Sequence, residues 1–508
     1  MTSGNENTTG TEPAKRSLSE RVARGAAWVV GGRFLVRSMG LINTLILARL
    51  LVPEDFGLVA IGVTVMQLLE NISDIGVSRT VVKFRNAGRA HFDTLFTLSL
   101  IKGIVVALLL VAFAPLAGDF YEDSRTTTVF YGLALIPIFN ALMNPKFFEF
   151  ERDLDFSREF MMKGINKAIG VAVSVAIALT FRNFWAIIAG MLAGNFVQMF
   201  LSYIMRPYLP RFSLAAIGEI GSFTGWLTGH SFVTALNNKL DILFLGKLIS
   251  PGEVGAYFVG GSVASLPSGE IASPIARAIY PGLSELQNDP ATMREGYLRG
   301  VEALALIVMP AAFGFSFVAE DLVALLLGAQ WDQAVLLLRY FSPAAGVMVI
   351  LSATNAYAMA KGEAKLLFWR EVIVFCVRMP ALVFAAMYYG LIGAVFAAAG
   401  GLLLIAGLNA GLYQRLSGHS FTEPFWRVRR PIAGVAVMAC YFLLVRPHLG
   451  SIDEAALAVR LGIDAISGMV IYSAIIALLW RAEGRPKGIE QLLLSQITRR
   501  FSAKIINR

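Results

Sequence analysis

The chain contains one stretch twice: Leu45-Ile-Leu-Ala-Arg-Leu-Leu-Val-Pro-Glu-Asp-Phe-Gly57 and, 198 residues later, Leu243-Phe-Leu-Gly-Lys-Leu-Ile-Ser-Pro-Gly-Glu-Val-Gly255. Three leucines, the proline and the final glycine are identical, and a cation and an acid keep their charge. Each copy is typical of an apolar helix that ends in a cation, followed by a proline and an acid that begin the next helix. The sequence therefore predicts an internal duplication.

The composition predicts a membrane protein. The 508 residues are 56% hydrophobic and only 16% charged, whereas soluble proteins carry about 25% charged residues. Apolar windows of about 20 residues, enough to cross roughly 30 Å of hydrocarbon, number fourteen. Their approximate limits are 24–49, 55–76, 94–116, 126–145, 159–181, 183–205, 221–248, 253–276, 298–318, 333–359, 366–388, 390–413, 430–447 and 460–480.

The predicted fold is an all-α polytopic membrane protein with about fourteen transmembrane helices. Six spans separate the two copies of the repeat, an even number, so the copies point the same way. This favours two pseudo-symmetric six-helix lobes with a site between them, followed by two C-terminal helices. The predicted segments are a disordered tail at 1–20, lobes at 21–206 and 213–416, the last two helices at 425–481, and a basic amphipathic helix at 487–508.

The distribution of basic residues predicts the orientation. Alternate connections are rich in Lys and Arg, which places them and both termini in the cytoplasm by the positive-inside rule. The net charge of +9 then reflects topology and attraction to anionic membrane lipids, and it is not a sign of nucleic-acid binding. Scattered histidines and two cysteines inside apolar segments predict no metal site, catalytic centre or disulfide framework.

Ionisable side chains in the middle of spans are the candidates for function, because each costs about 2.5–3.5 kcal/mol on insertion scales. Counting inward from Pro53, at the predicted outer surface, places Arg37 near the middle of the first span. Arg33 lies one turn further along the same face. The other candidates are Lys102 in the third span, Lys239 and Asp241 in the seventh, and Arg378 in the eleventh.

These positions carry more positive than negative charge, with Asp241 counted as the single acid at mid-depth. A basic cavity suits a phosphate or pyrophosphate group, which Arg can bind through two parallel hydrogen bonds, and it does not suit cationic drugs. The predicted substrate-binding residues are Arg33, Arg37, Lys102, Lys239 and Arg378. For each cation the alternative is pairing with a neighbouring acid or reaching to the interface.

Two carboxylates are candidates for coupling transport to H⁺ or Na⁺. They are Asp241 and Glu70, of which Glu70 lies nearer the predicted cytoplasmic end of its span. A carboxylate that balances a nearby cation is the better explanation of both.

Particular residues resemble a known family. Ala26-Ala-Trp28, the segment 47–58 and Asp74-Ile-Gly-Val-Ser78 resemble polysaccharide transporters of the Wzx type, within the multidrug/oligosaccharidyl-lipid/polysaccharide exporter superfamily. Pro281-Gly-Leu-Ser-Glu-Leu-Gln287 is similar to the loop after the eighth span of that family.

The resemblance implies a flippase, not an enzyme. Its substrate would be an undecaprenyl-pyrophosphate-linked oligosaccharide, moved across the bacterial inner membrane for O-antigen, capsule or exopolysaccharide synthesis. The two lobes would alternate between inward-open and outward-open states, and the last two spans would hold the polyprenyl tail. The expected partners are this lipid-linked oligosaccharide, membrane lipids, a polysaccharide polymerase and a chain-length regulator, with no cofactor.

Three other functions remain open on the sequence. A lipid II flippase of peptidoglycan synthesis would also have fourteen spans. A cation-coupled multidrug antiporter predicts twelve spans and acidic residues that face the cavity, and both features differ here. A non-transporting scaffold of a glycan assembly complex predicts that substitutions in the cavity have no effect.

Overall fold

The structure, a computed structural model, describes only part of the chain. The described residues are 18–73, 76–77, 80–81, 88–153, 155–218, 236–237, 239–449 and 456–485. Side chains at 18–30, 33, 273 and 277–278 are also outside the description. The predictions for the tail before Leu18, for most of the seventh span and for the amphipathic helix 487–508 therefore stay predictions.

All regular structure in the described residues is helical. The long helices are numbered in chain order. They are α1 Leu18–Leu50, α2 Pro53–Ile72, α3 Arg89–Tyr121, α4 Ser124–Ala141, α5 Phe156–Phe181, α6 Trp185–Met205, α7 239–248, α8 Pro251–Ala264, α9 Pro290–Phe317, α10 Ala334–Ala360, α11 364–389, α12 391–417, α13 Arg429–His448 and α14 Leu457–Ala482.

The prediction of an all-α polytopic membrane protein is confirmed. Within the described residues, nine helices are long and apolar enough to cross a bilayer. A tenth is added if Ser124–Ala141 and Pro145–Arg152, bent by 64°, form one broken span. In this count Ala364–Ser417 is a single helix, although Gly390, whose φ is 59°, divides it into α11 and α12. The number fourteen stays a prediction.

Several helices extend beyond the apolar windows, because their ends are set by polar caps. Helix α9 begins at Pro290, eight residues before the window at 298, since Asp289 accepts hydrogen bonds from the backbone N–H groups of Ala291 and Thr292. Helix α1 begins at Leu18, inside the predicted tail. Apolar windows locate the part of a helix that lies in hydrocarbon, but not its ends.

After the first lobe, the chain runs beside α3 and forms hydrogen bonds with it. The backbone N–H of Arg211 donates to Asp93 over 2.8 Å. Farther along, the N–H of Ala216 donates to Thr94 Oγ1 over 3.2 Å. The chain therefore stays attached to the first lobe as far as Ala216, past the predicted start of the second lobe at 213.

The last two helices pack on α9. The Tyr472 hydroxyl of α14 donates to the carbonyl of Leu306 over 3.1 Å. The Phe442 ring of α13 stacks on Phe317, with ring centroids 5.2 Å apart. Helices α13 and α14 therefore attach to the second lobe.

Candidate functional site

The two copies of the repeated stretch touch each other where α2 and α8 begin. A Cβ atom added to Gly57 would lie 3.0 Å from the backbone nitrogen of Gly255, and one added to Gly255 would lie 3.1 Å from the nitrogen of Gly57. Both would come closer still to the carbonyl oxygens of Pro251 and Pro53. Only glycine allows backbones to approach this closely. The lobes therefore meet backbone to backbone at the predicted outer end.

Around this contact between the two repeats, side chains of each lobe form hydrogen bonds to the end of a helix in the other lobe. The carbonyl of Ala48, near the end of α1, accepts hydrogen bonds from Trp331 Nε1 over 2.7 Å and Gln330 Nε2 over 2.8 Å. In the reciprocal contact, the Tyr121 hydroxyl donates to the carbonyl of Leu243 on α7, over 3.2 Å. The polar contacts between the lobes thus follow the duplication.

The cation of each repeat also reaches into the opposite lobe. Arg49 donates to the carbonyl of Leu325, and Lys247 Nζ forms an ion pair with Glu122 over 2.7 Å. The hydrogen bond from Lys247 holds the pKa of the Glu122 carboxyl below its usual range. Both cations therefore belong to the closed end at the predicted outer surface, which places them away from the predicted substrate site.

Arg37 makes a second contact between the lobes, farther from the outer end. Its guanidinium forms an ion pair with Glu270 of the π-helical turn Pro267–Ile271, which continues α8. Arg37 lies sixteen residues from Pro53, which is about 24 Å of helix. Its side chain is 66% exposed and that of Glu270 is 27% exposed. The pair therefore lies on an open face between the lobes.

Glu270 is a residue that the sequence reasoning missed. The count of a single mid-depth acid omitted it, although it lies inside the predicted eighth span. The signal available in the sequence was the segment Pro267-Ser-Gly269 just before it, which interrupts an apolar run. Such π-helical turns are frequent at functional sites.

Lys167 was also missed. It lies on α5, within the predicted fifth span 159–181. It lies fifteen residues, about 22 Å, from Arg182 at the end of α5. A Cβ on Gly40 of α1 would lie 3.3 Å from Lys167 Cε. Gly40 is one turn from Arg37, so this cation packs near the Arg37 level of α1.

Arg378 and Asp241 are brought together inside the second lobe. Their ion pair is nearly buried, with 14% and 8% of the side chains exposed. Tyr257 donates to the same carboxylate over 3.2 Å, and Arg378 Nη1 donates to the carbonyl of Asn237 over 2.9 Å. Gly401 leaves room for the arginine, because a Cβ there would lie 2.9 Å from Arg378 Cγ. For Arg378, the structure therefore shows the alternative named above, in which the cation pairs with a neighbouring acid.

The same network continues along α11. Asn237 Nδ2 donates to Glu371 over 2.7 Å, and Glu371 forms an ion pair with Arg370. Arg370 Nη1 also donates to Asn409 of α12 over 2.6 Å. Lys239 of α7 is two residues from both Asn237 and Asp241, so it lies on another face of that helix. It is half-buried and has no ion-pair partner in the described part of the chain.

Lys102 and Glu70 share a cavity of 480 Å³ within the first lobe. Asn140 Nδ2, on α4, donates to the Glu70 carboxylate over 3.1 Å. The predicted site residues thus fall into three places: Arg37 between the lobes, Lys102 with Glu70 in this cavity, and Arg378 with Asp241 in the second lobe. The side chain of Arg33 lies outside the described residues.

Curated relatives match most of this chain. It is 23% identical over 450 residues to the lipopolysaccharide biosynthesis protein WzxC of Escherichia coli, covering 86% of this chain and 83% of that protein. It is 23% identical over 472 residues to the succinoglycan biosynthesis transport protein ExoT of Rhizobium meliloti, covering 91% of this chain and 94% of that protein. The teichuronic acid biosynthesis protein TuaB of Bacillus subtilis is 20% identical and covers 89% and 95%.

Solved structures share the fold. The lipid II flippase MurJ, in an inward closed conformation, superposes with a TM-score of 0.68 at 15% identity, covering 89% of this chain and 99% of that one. An inward-facing multidrug resistance MATE transporter superposes with a TM-score of 0.56 at 14% identity, covering 78% and 95%. These likenesses show the fold alone.

A family profile settles the assignment. The profile described as "Polysaccharide biosynthesis protein" matches residues 46–336, which include the second copy of the repeat and all of the first except Leu45. The predicted resemblance to Wzx-type polysaccharide transporters, and with it a transporter rather than an enzyme, is confirmed. The chain belongs to the polysaccharide biosynthesis protein family.

Proposed function

We propose that the protein flips an undecaprenyl-pyrophosphate-linked oligosaccharide repeat unit across the bacterial inner membrane, for O-antigen, capsule or exopolysaccharide synthesis. The observation that carries the proposal is the pair of contacts between the lobes at two depths. One is the backbone crossing of Gly57 and Gly255, and the other is the ion pair of Arg37 and Glu270. Two lobes that pack backbone to backbone at one depth and are joined by an ion pair at another can separate at one end while they stay together at the other.

The free energies that the two ion pairs contribute indicate which cation binds the substrate. Exposed ion pairs contribute about 0–1 kcal/mol, so a pyrophosphate can replace Glu270 on Arg37 at little cost. Removing one partner of a buried pair costs about 3–5 kcal/mol, so Arg378 is held by Asp241. The pyrophosphate is therefore expected at Arg37 and not at Arg378.

Neighbouring cations extend the proposed pyrophosphate site. Lys167 packs against α1 near the Arg37 level, and Arg33 is one turn along the same face of α1 by its spacing. Two phosphate groups can then share three cations. Lys239 has no ion-pair partner in the described residues, and it stays a candidate for the second lobe.

Ion coupling has a clear structural requirement at Asp241. An H⁺ or Na⁺ could occupy this carboxylate only after Arg378 leaves it, because the guanidinium already neutralises the charge. Coupling at Asp241 would therefore need a second arrangement of α7 and α11. The polymerase and chain-length regulator of the same pathway remain the proposed protein partners.

Arg37→Ala is expected to lower polysaccharide export roughly 10- to 150-fold, since a hydrogen bond to a charged group contributes about 1.5–3 kcal/mol. Arg37→Lys retains the charge but not the two parallel hydrogen bonds, so an intermediate loss is expected. Glu270→Gln removes the competing anion and retains export. The measurement is flipping of the extracted lipid-linked oligosaccharide in vesicles, together with export by complemented deletion cells.

The matched control is Arg158→Ala on α5. Arg158 is 53% exposed and lies 4.0 Å from Asp155, so its removal should leave export unchanged. Arg37→Ala with normal flipping at a normal protein level would contradict the proposed pyrophosphate site. Vesicles in which the wild-type protein moves no lipid-linked sugar would instead favour the scaffold alternative.

A further inference from the structure

The cavity of 480 Å³ in the first lobe is separate from the contacts between the lobes. Its walls come from α2, from α3 and from the bend between α4 and the short helix Pro145–Arg152. The polar lining consists of Glu70, Ser99, Lys102, Asn140 and Glu151. The volume falls in the range of about 300–1,000 Å³ that is usual for ligand sites.

The 64° bend after α4 is the first observation that points to a ligand. The break lies at the end of the predicted fourth span, 126–145, and broken helices commonly build transport sites. Here the residues around the break, from Asn140 to Pro145, form part of the cavity wall.

Close packing beside the break fixes the position of Lys102. A Cβ on Gly103 would lie 2.6 Å from the carbonyl oxygen of Pro137, so α3 is pressed against α4 at this point. Lys102, the adjacent residue, is thereby held at the wall. It has no ion-pair partner among the residues that the structure describes.

The charges of the cavity do not suit a phosphate. One cation, Lys102, lies with two carboxylates, Glu70 and Glu151. Glu70 by itself already balances Lys102, so these residues offer no surplus positive charge to a phosphate group. Arg37, by contrast, is itself exposed and pairs with one half-buried carboxylate among the described residues.

The lining does suit a sugar. Carboxylates accept hydrogen bonds from hydroxyl groups, while an amide, a hydroxyl and an ammonium group can donate to them. Glu70 is already oriented by Asn140. Phe148 and Pro145 supply apolar walls for the C–H face of a sugar ring, and this mixture of apolar surface with a few placed polar groups is typical of small-molecule sites.

We propose that this cavity binds a sugar unit of the lipid-linked oligosaccharide. The inference rests on the proposed function and refines it, because it divides the substrate between two places. Arg37 and its neighbours bind the pyrophosphate, and Lys102 with Glu70 binds the sugar. Lys102 then discriminates among sugars, and Glu70 is a sugar ligand, which removes it from the candidates for ion coupling.

The test measures whether a bound lipid protects an introduced cysteine from chemical labelling. Cys376→Ala and Cys440→Ala remove the two cysteines, and Ser99→Cys then places a thiol in the cavity wall. Maleimide labelling of the purified protein in lipid nanodiscs is measured with two probes. One is the lipid-linked oligosaccharide extracted from cells that lack this gene, and the other is undecaprenyl pyrophosphate without sugar.

The expected result is protection by the sugar-bearing lipid alone. At ten times its half-protecting concentration, labelling of Ser99→Cys should slow about tenfold, while the sugar-free lipid leaves the rate unchanged. Glu70→Gln should raise the half-protecting concentration about tenfold, as the loss of one hydrogen bond to a charged group would. Ser284→Cys, on the helix Ala272–Glu285, should label equally with either probe.

Equal protection by both lipids would overturn the inference, since it would mean a site for phosphate or a lipid headgroup. Normal flipping without any protection of Ser99→Cys would also overturn it, yet leave the proposed function in place. Absence of flipping by the unmodified protein would overturn the proposed function itself. The two failures are therefore distinguishable.

Discussion

Arg378→Ala is expected to lower the free energy of unfolding by about 3–5 kcal/mol, because it leaves the Asp241 carboxylate buried without its countercharge. Both side chains are at least 86% buried, being 14% and 8% exposed. Tyr257 alone cannot neutralise the carboxylate that remains. Unfolding by heat and by SDS in detergent micelles, followed by tryptophan fluorescence, measures the effect.

A double-substitution cycle separates the pair from its surroundings. Asp241→Asn should destabilise by a similar amount, and the double variant should lose much less than the sum of the two. The matched control is the exposed pair of Lys163 and Glu159, 53% and 30% exposed, for which a change within about 1 kcal/mol is expected. Normal stability of Arg378→Ala with lost transport would instead make this arginine a substrate ligand.

Gly57→Ala is expected to disfavour the closed outer end. The added methyl group would overlap the backbone of Pro251 and Gly255, and overpacking of this kind costs about 1–3 kcal/mol. A free-energy change of that size corresponds to roughly 5- to 150-fold fewer molecules with this end closed. On the proposed alternating-access cycle, transport should fall accordingly, because each cycle returns through the closed state.

A short bifunctional maleimide measures closure directly. The cysteines replace Lys247 and Glu122, whose side chains are in contact across the lobes, in the chain without native cysteines. Crosslinking should be efficient in the parent and decrease with Gly57→Ala. Gly400→Ala is the matched control, because a Cβ on that helical glycine meets nothing within 4 Å. Full crosslinking in Gly57→Ala would contradict the prediction, because it would show that the contact between Gly57 and Gly255 tolerates a side chain.

The sequence predicted the fold well because its signals are local. Apolar windows located the spans, and the matched proline, glycine and charges of Leu45–Gly57 and Leu243–Gly255 revealed the duplication. It did not predict that the two copies touch each other. That contact depends on how the lobes are arranged, and no periodicity within one helix encodes it. The reach of Arg49 and Lys247 into the opposite lobe was missed for the same reason.

The candidate site was predicted less completely. Depth counting identified Arg37, but the partners of a buried charge lie on other helices and cannot be read from spacing along one of them. Asp241 and Arg378 are 137 residues apart, so their pairing was one alternative among several. Glu270 was missed because the π-helical turn that contains it interrupts straight-helix counting, and Lys167 was missed because its proximity to α1 depends on how two helices pack.

The crossing of the two repeats has a consequence for how this protein can vary. In the language of subunit assembly, the halves form an isologous interface in which one surface patch is its own partner, as in a twofold dimer. A side chain added at Gly57 would displace the backbone at Gly255, and one added at Gly255 would displace the backbone at Gly57. Drift in either copy is therefore restrained by the other, which accounts for the residues that the two copies share.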